Sequence, residues 1–252
     1  MNKTVLLTGG TGLFGQTLVK HFVASGWVVV TTSRDQSRLD QLIRSCDGRK
    51  GSVIGIVADF SHKGAVVRLL EELRSADIVI SHLVNNARSI SSLAVESDGT
   101  TSPAVFLREF EMDVLIPYEI TMGLSKSAEH SLSCVVNIGS MYGEVAPNPA
   151  LYDDNLEKSP IQYGVSKSAL HHLTRELAVR LAAKNIRVNC VAFGGVEGRT
   201  DQSFRDRYGK LAPSGRMLKS IEIIGPIEFL LSTASSSVNG HVLMADGGWS
   251  IW

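Results

Sequence analysis

Charge of one sign is what this chain most conspicuously lacks. Lys and Arg number 25, Asp and Glu number 25, and the formal net charge over 252 residues is zero. With no net field to draw it to nucleic acid or to an anionic membrane surface, a small-molecule partner is the expectation. Cysteine is sparse: Cys46, Cys134 and Cys190 show no metal-ligand spacing and make no disulfide set, so no metal site is expected. They read as small buried apolar residues in a protein of the reducing cytoplasm. Long apolar runs are missing too. The stretch Val5–Leu7 is far shorter than a signal-peptide core or a membrane span and reads as a β-strand. Nor is there a Pro/Ser-rich linker, a short-period repeat or a low-complexity tract, which argues for one domain over 1–252.

What is present is a rhythm. With hydrophobic residues at 44%, strand-length apolar runs alternate with segments of helical spacing, first Val5–Leu7 and then Leu13, Leu18, Val19, Phe22 and Val23. Further strands are expected at 28–31, 53–57, 78–84, 134–138, 188–192 and 241–244. Strands this continuously apolar imply burial on both faces, hence an α/β fold of the doubly wound Rossmann type, with a seven-stranded parallel sheet and helices on either side. Three stretches interrupt the pattern and read as substrate-loop insertions, near 88–102, 144–160 and 194–220. The first is expected to end in a helix capped near Ser102, with Pro103 in its first turn.

Directly after the first strand comes Thr8-Gly9-Gly10-Thr11-Gly12-Leu13-Phe14-Gly15. Glycines let a backbone turn sharply and approach a pyrophosphate, and the helix that follows offers free N–H groups at the positive end of its dipole. Glycine turns also occur for conformational reasons alone, but the position between strand one and helix one favours dinucleotide binding. The second strand ends in Ser33-Arg34. A hydroxyl and a guanidinium suit a 2′-phosphate, which favours NADP(H) with NAD(H) possible; the alternative is that Arg34 is a solvated loop cation, and Asp35 weighs against the phosphate.

Tyr163 and Lys167 lie four apart and so share a helix face. A phenol is a poor base at neutral pH unless neighbouring cations favour its anion, and a paired lysine and tyrosine can exchange a proton with a substrate hydroxyl or carbonyl oxygen. Alone, the pair could be a surface pair on a helix. Ser140, in Asn137-Ile138-Gly139-Ser140, ends the fifth strand at the sheet edge where α/β proteins hold ligands, and could donate a hydrogen bond to the reacting oxygen. Asn85, Asn86 and Ala87 end the fourth strand at the same edge. There the asparagines could tie strands together, with the Ala87 backbone against the cofactor.

These pieces resemble the short-chain dehydrogenase/reductase family over nearly the whole chain. The matching stretches are TGGTGLFG, SR at 33–34, ADF at 58–60, NNA at 85–87, Ser140, YGVSK, RVNCVAFGG at 187–195 and ADGGW at 245–249. The resemblance implies that Ser140, Tyr163 and Lys167 are catalytic, that Lys167 also binds the nicotinamide ribose, and that the enzyme is a homotetramer or homodimer. It further implies that Asp59 and Phe60 flank the adenine and that Val196 lies near the carboxamide. A turn carboxylate, a core aromatic and a core valine are the plainer readings of those three residues.

The chain also departs from the family. Its glycine spacing is that of the longer sugar-nucleotide branch, although its length and DGGW belong to the shorter branch. Tyr163 follows Ser140 by 23 positions, a wider gap than the short branch has, and the surplus is the 144–160 loop. Its Tyr152, Asp153, Asp154 and Asn155 suit sugar hydroxyls, or form a solvated polar loop. Asp113 stands where the family has a helix asparagine. Phe193 replaces a proline, and Arg88 replaces a glycine beside the sheet edge, where it could grip a phosphate or carboxylate. Around NNARSISSL and MDVLIPYEITM the chain is most similar to reductases of bacterial flagellin-glycan and nonulosonic-acid pathways. His171 and His172 read as structural or interface residues. The expected function is thus an NAD(P)(H)-dependent alcohol/carbonyl oxidoreductase acting on a sugar or sugar derivative. The alternatives are a cofactor-binding regulator without turnover, motivated by Asp113 and Phe193, and a sugar-nucleotide epimerase or dehydratase.

Overall fold

The computed structural model describes residues 3–126, 131–152, 159–198 and 200–252. Seven strands, β1 (Thr4–Leu7), β2 (Val28–Ser33), β3 (Ser52–Val57), β4 (His82–Asn85), β5 (Cys134–Ser140), β6 (Arg187–Phe193) and β7 (Val242–Ala245), join in one parallel sheet ordered β3-β2-β1-β4-β5-β6-β7. The order reverses between β1 and β4, and a doubly wound sheet opens its ligand crevice at such a switch point.

Alternate residues of each strand face opposite sides, so the sheet needs two covers. On one side Val5 and Leu7 of β1 pack with α1 (Leu13–Ala24) through Leu18, Val19 and Phe22. Ile224, Ile227, Leu230 and Leu231 of the later helix Ile224–Leu231 join the same layer. On the other side Leu6 meets α3 (Ala65–Ser75) through Val66, Leu69 and Leu73. Also on that side are α5 (Ile116–Ser125) through Ile116 and Ile120, and α6 (Ile161–Leu181) through Leu177 and Leu181. Between them in sequence, α2 (Gln36–Arg44) follows β2 and α4 (Pro103–Phe110) precedes α5.

Several boundaries differ from expectation. The run 78–84 is a strand only from His82, which pairs with Val5, the second residue of β1. Ile80 is buried without pairing, so apolarity extends beyond the ladder. β7 starts one residue later than expected because the His241 N–H goes to the Asn189 side chain. Helix α4 does begin at Pro103, but the Ser102 side chain makes no cap hydrogen bond. The stretch 194–220 contains a helix, α7 (Gln202–Leu211), because Asp201 caps Phe204 N and Tyr208 is buried against Trp249, ring centroids 4.5 Å apart.

Between α4 and α5 the chain makes a π-helical turn, Glu111–Leu115. Pro117 supplies the cause. A regular α ladder would require its N–H for the Asp113 carbonyl, and proline has none. Such turns gather at functional sites, and this one carries Asp113.

Candidate active site

A cleft of about 520 Å³ opens along the carboxyl ends of the central strands. Gly9, Thr11, Gly12, Leu13, Phe14 and Gly15 line it from the first turn, Ser33 and Arg34 from β2, and Asp59 and Phe60 from the segment after β3. Asn86, Ala87 and Arg88 contribute from beyond β4, Asp113 from the π turn, Ser140 from β5, Tyr163 and Lys167 from α6, and Val196 from beyond β6. Tyr152 is not among the lining residues. Its ring packs 6.3 Å from that of Phe204, and its hydroxyl reaches Tyr142 (3.5 Å) and Ser159 (3.4 Å). Asp153, Asp154 and Asn155 lie outside the described residues.

The glycine turn is shaped by close approach. Gly9 has φ +72°, and a Cβ there would sit 2.9 Å from Ala87 Cα; at Gly15 it would meet the Gly9 carbonyl oxygen at 2.3 Å. Gly12 opens α1 with no side-chain cap, which leaves first-turn N–H groups free for an anion. A Cβ at Gly12 would touch only the Gly9 oxygen, at 3.4 Å, so the space in front of the helix is open. These features fit a dinucleotide pyrophosphate.

At the far end Thr11 and Ser33 share a hydroxyl contact of 2.9 Å, and Ser33 Oγ accepts from Asp35 N. The Asp35 carboxylate caps α2 by accepting from Arg38 N (3.1 Å), and Arg38 Nε lies 3.7 Å from it. Arg34 is exposed. Asp59 accepts from the hydroxyl (2.7 Å) and the N–H (3.0 Å) of Ser61, and these bonds, helped by His62 and Arg34, hold its carboxyl below the usual range. Val196 is tied to Leu218 by a single backbone bridge.

The β4 end is held by Thr8, whose hydroxyl accepts from Asn86 N (3.0 Å) and Ala87 N (2.9 Å). Asn86 Nδ2 donates back to Thr8 O at 2.8 Å. Beside it, Asn85 donates to Asn137 (2.8 Å) and Asn137 to Thr174 (2.9 Å), a buried chain tying β4 to β5 and α6. Phe193 lies edge-on to Phe14, centroids 5.6 Å apart, and so braces the glycine turn.

At the reactive end Ser140 Oγ accepts from Tyr142 N (3.2 Å), leaving its own proton to donate. Lys167 Nζ donates to Asp113 Oδ1 (3.0 Å) and to the Ile138 carbonyl (2.9 Å). Burial opposes its charge, but the Asp113 carboxylate and Tyr163 outweigh that, and Lys167 titrates above its ordinary value. The Tyr163 ring has Lys167 Nζ at 5.8 Å and the Arg88 guanidinium at 4.4 Å from its centroid. The loop 88–102 is fastened to α6 through Gln162, which donates to Ser92 O and Ala94 O and accepts from Thr101.

Sequence reasoning missed Arg38, Tyr142 and Glu109. Arg38 lines the cleft beside Arg34, and Tyr142 lies beside Ser140 with its phenol pushed above the ordinary range by burial. Glu109 has no exposed surface and accepts from the Ser92 hydroxyl. A detectable signal existed for Glu109 in its spacing four residues before Asp113, which sets two carboxyls on neighbouring helical turns.

A parallel doubly wound sheet, a glycine turn opening α1 and a serine, tyrosine and lysine at the far end of one cleft define a dinucleotide-binding oxidoreductase. Comparison with known proteins gives the family. Residues 14–250 match the family model described as Enoyl-(Acyl carrier protein) reductase. The chain is 29% identical over 256 residues to a galactitol 2-dehydrogenase (L-tagatose-forming) of Cereibacter sphaeroides, covering 98% of this chain and 94% of the relative. It is 25% identical to the Post-translational flagellin modification protein A of Campylobacter coli, covering 99% of each. Against an uncharacterized short-chain type dehydrogenase/reductase of Sinorhizobium fredii the identity is 30%, over 98% of this chain but 43% of that longer protein. The solved short-chain dehydrogenase of Leptospira borgpetersenii with bound NAD+ superposes with a TM-score of 0.86 at 25% identity, covering 99% of this chain and 93% of that one. The chain belongs to the short-chain dehydrogenase/reductase family, and it is an enzyme with a nicotinamide dinucleotide cofactor. Among the described residues no helix is long and apolar enough to cross a membrane.

Proposed function

We propose that this enzyme interconverts an alcohol and a ketone or aldehyde on a sugar or sugar-derived substrate, with NADP(H) as the favoured cofactor. The observation that carries the reading is the meeting of Ser140, Tyr163 and Lys167 at one end of the cleft whose other end is the glycine turn. The nicotinamide supplies or accepts the hydride. Gly9, Thr11, Gly12, Leu13, Phe14 and Gly15 hold the pyrophosphate, Ser33 and Arg34 the adenosine ribose, and Asp59 and Phe60 the adenine. Asn86, Ala87 and Val196 border the nicotinamide half, and Lys167 binds its ribose. In reduction the Tyr163 hydroxyl gives its proton to the substrate oxygen while Ser140 donates a hydrogen bond to the same atom. The Lys167 ammonium, oriented by Asp113 and Ile138 O, stabilises the phenolate that results. Oxidation runs the same transfers backwards.

The cofactor preference rests on Arg34. Asp35, the nearest carboxylate in sequence, is committed to capping α2 and to Arg38, which leaves Arg34 to meet a 2′-phosphate. Arg34→Ala is expected to weaken NADPH binding roughly tenfold, about 1.4 kcal/mol, with NADH unchanged. Fluorescence titration of both cofactors reads this, and an unchanged ratio refutes it.

For the substrate, Arg88 presents a guanidinium above the Tyr163 ring, in no ion pair among the described residues. It suits a carboxylate or phosphate group, and Asp153 and Asn155 remain proposed for the sugar hydroxyls, whereas Tyr152 packs against Phe204 outside the cleft lining. The name of the relative from Cereibacter sphaeroides supports a polyol or the corresponding keto-sugar. The experiment is a screen of NADPH oxidation across neutral and acidic keto-sugars, in which the acidic ones react faster. Equal rates remove Arg88 from recognition. No turnover with any carbonyl compound while NADPH binds tightly overturns the reading.

A homotetramer or homodimer in the cytoplasm completes the proposal. Leu107, Tyr118, Val165 and Val179 on α4, α5 and α6, with Ile251 and Trp252, leave large apolar side chains exposed. Light scattering at micromolar concentration is expected to give a multiple of the protomer mass, and a monomer refutes the assembly.

A further inference from the structure

Two carboxyl groups are buried on the helical run that meets Lys167. Glu109 ends α4 with no exposed surface, and Asp113 is 2% exposed in the π turn that follows. Each has one oxygen engaged, Glu109 Oε2 by the Ser92 hydroxyl and Asp113 Oδ1 by Lys167 Nζ. Each also has one buried oxygen, Glu109 Oε1 and Asp113 Oδ2, with no partner. Lys167 contacts Asp113, whereas Glu109 is in no ion pair among the described residues and has Lys167 and Arg88 only as more distant cations; in a low-dielectric interior such a carboxyl holds a proton more cheaply than a charge. The groups acting on Glu109 are Asp113 from the same helical run, Lys167 from α6, Ser92 from the 88–102 loop, and Arg88 from beyond β4.

We propose that Glu109 and Asp113 form a buried pair sharing one proton, and that this pair is the store from which Lys167 recovers, or to which it passes, the proton exchanged at Tyr163. This rests on the reading of Tyr163 and Lys167 as the proton-transfer groups. In carbonyl reduction the hydride comes from the reduced nicotinamide and the Tyr163 O–H proton goes to the substrate oxygen. Lys167 releases one N–H proton toward the phenolate and takes one back from the pair through Asp113. The O–H bond on the pair breaks, its charge goes from one negative to two, and solvent recharges it between turnovers. In alcohol oxidation each transfer reverses.

Burial, then the Asp113 charge, push Glu109 up to about 7, against the Ser92 hydrogen bond and the Arg88 and Lys167 cations. The proton therefore moves within the neutral range, where a relay is most useful. Glu109 is a positioning residue in this scheme: it touches neither substrate nor reacting atom and acts through Asp113 and Lys167.

The test begins without a substrate. Infrared pH-difference spectra of the full chain are expected to show one protonated carboxyl that disappears as pH rises through about 7. The band should be absent in Glu109→Gln and retained in Tyr163→Phe. No such band, or its persistence in Glu109→Gln, overturns the proposal whatever the fate of the activity. Stability gives a second reading. Because the folded value lies above the 4.5 of a free glutamate, this contribution is full below about pH 4.5 and is lost as pH rises through about 7; Glu109→Gln removes that slope. With a substrate from the keto-sugar screen, wild-type kcat for reduction should fall above about pH 7. Glu109→Gln should lose that break with KM little changed, and Glu109→Asp should restore it. A Glu109→Gln enzyme that is less stable but keeps the wild-type pH profile would leave Glu109 as a brace for Ser92 alone and overturn the relay. Should Glu109→Gln not fold, Asp113→Asn serves: removing the like charge moves the carboxyl band to lower pH, and an unmoved band refutes the pair.

Discussion

Tyr163→Phe lowers turnover by roughly 10² or more while folding and cofactor affinity stay close to wild type. The substitution removes one hydroxyl from a half-buried ring whose flanking contacts, the Arg88 guanidinium and the Lys167 ammonium, depend on the ring face and on charge rather than on that oxygen. Steady-state rates on a keto-sugar that the wild type reduces, together with NADPH titration of the same preparation, measure both halves. A variant as active as wild type would remove Tyr163 from proton transfer. A variant that had lost NADPH binding would point to a structural duty for the hydroxyl.

Lys167→Met should be the most destabilising single change in the site, by about 3–5 kcal/mol, because it leaves the buried Asp113 carboxylate without its cation and the Ile138 carbonyl without its donor. Denaturant unfolding reads the loss. The double substitution Lys167→Met, Asp113→Leu should recover most of it, since removing both partners of a buried pair is far less costly than removing one. Neither protein should turn over substrate. If the single variant proved as stable as wild type, the ion pair would not be a structural element of this site. Its NADPH affinity should fall too, in contrast to Tyr163→Phe, because Lys167 is assigned to the nicotinamide ribose.

The sheet and the glycine turn were legible because their signals are local. Alternating apolar runs and a Gly-rich stretch after the first strand need no knowledge of distant residues, and they gave the fold, the strand count and the cofactor end of the cleft. Boundaries shifted where pairing, not apolarity, decides: Ile78 to Ile80 are apolar and lie outside the ladder. Tyr163 and Lys167 could be read together because helical spacing joins them. The Asp113 contact with Lys167 spans 54 positions, and no periodicity announces such a meeting. Glu109 was overlooked because a glutamate following Arg108 reads as solvated, and it is buried where α4 packs on α6 and on the loop carrying Ser92. Tyr152, chosen for its polar surroundings in sequence, turned instead to Phe204 because its ring outweighs its hydroxyl in packing.

The π turn at Glu111–Leu115 constrains how this site can change over descent. It accommodates one residue more than an α-helical turn, and deleting that residue would rotate everything on one side of the gap by about 100° relative to the other. Glu109 precedes the turn and Asp113 lies within it, so a shortened run would shift one carboxyl out of register with the other. Point substitutions can vary the lining of the cleft one side chain at a time. A length change here redraws the charge of its floor in a single step.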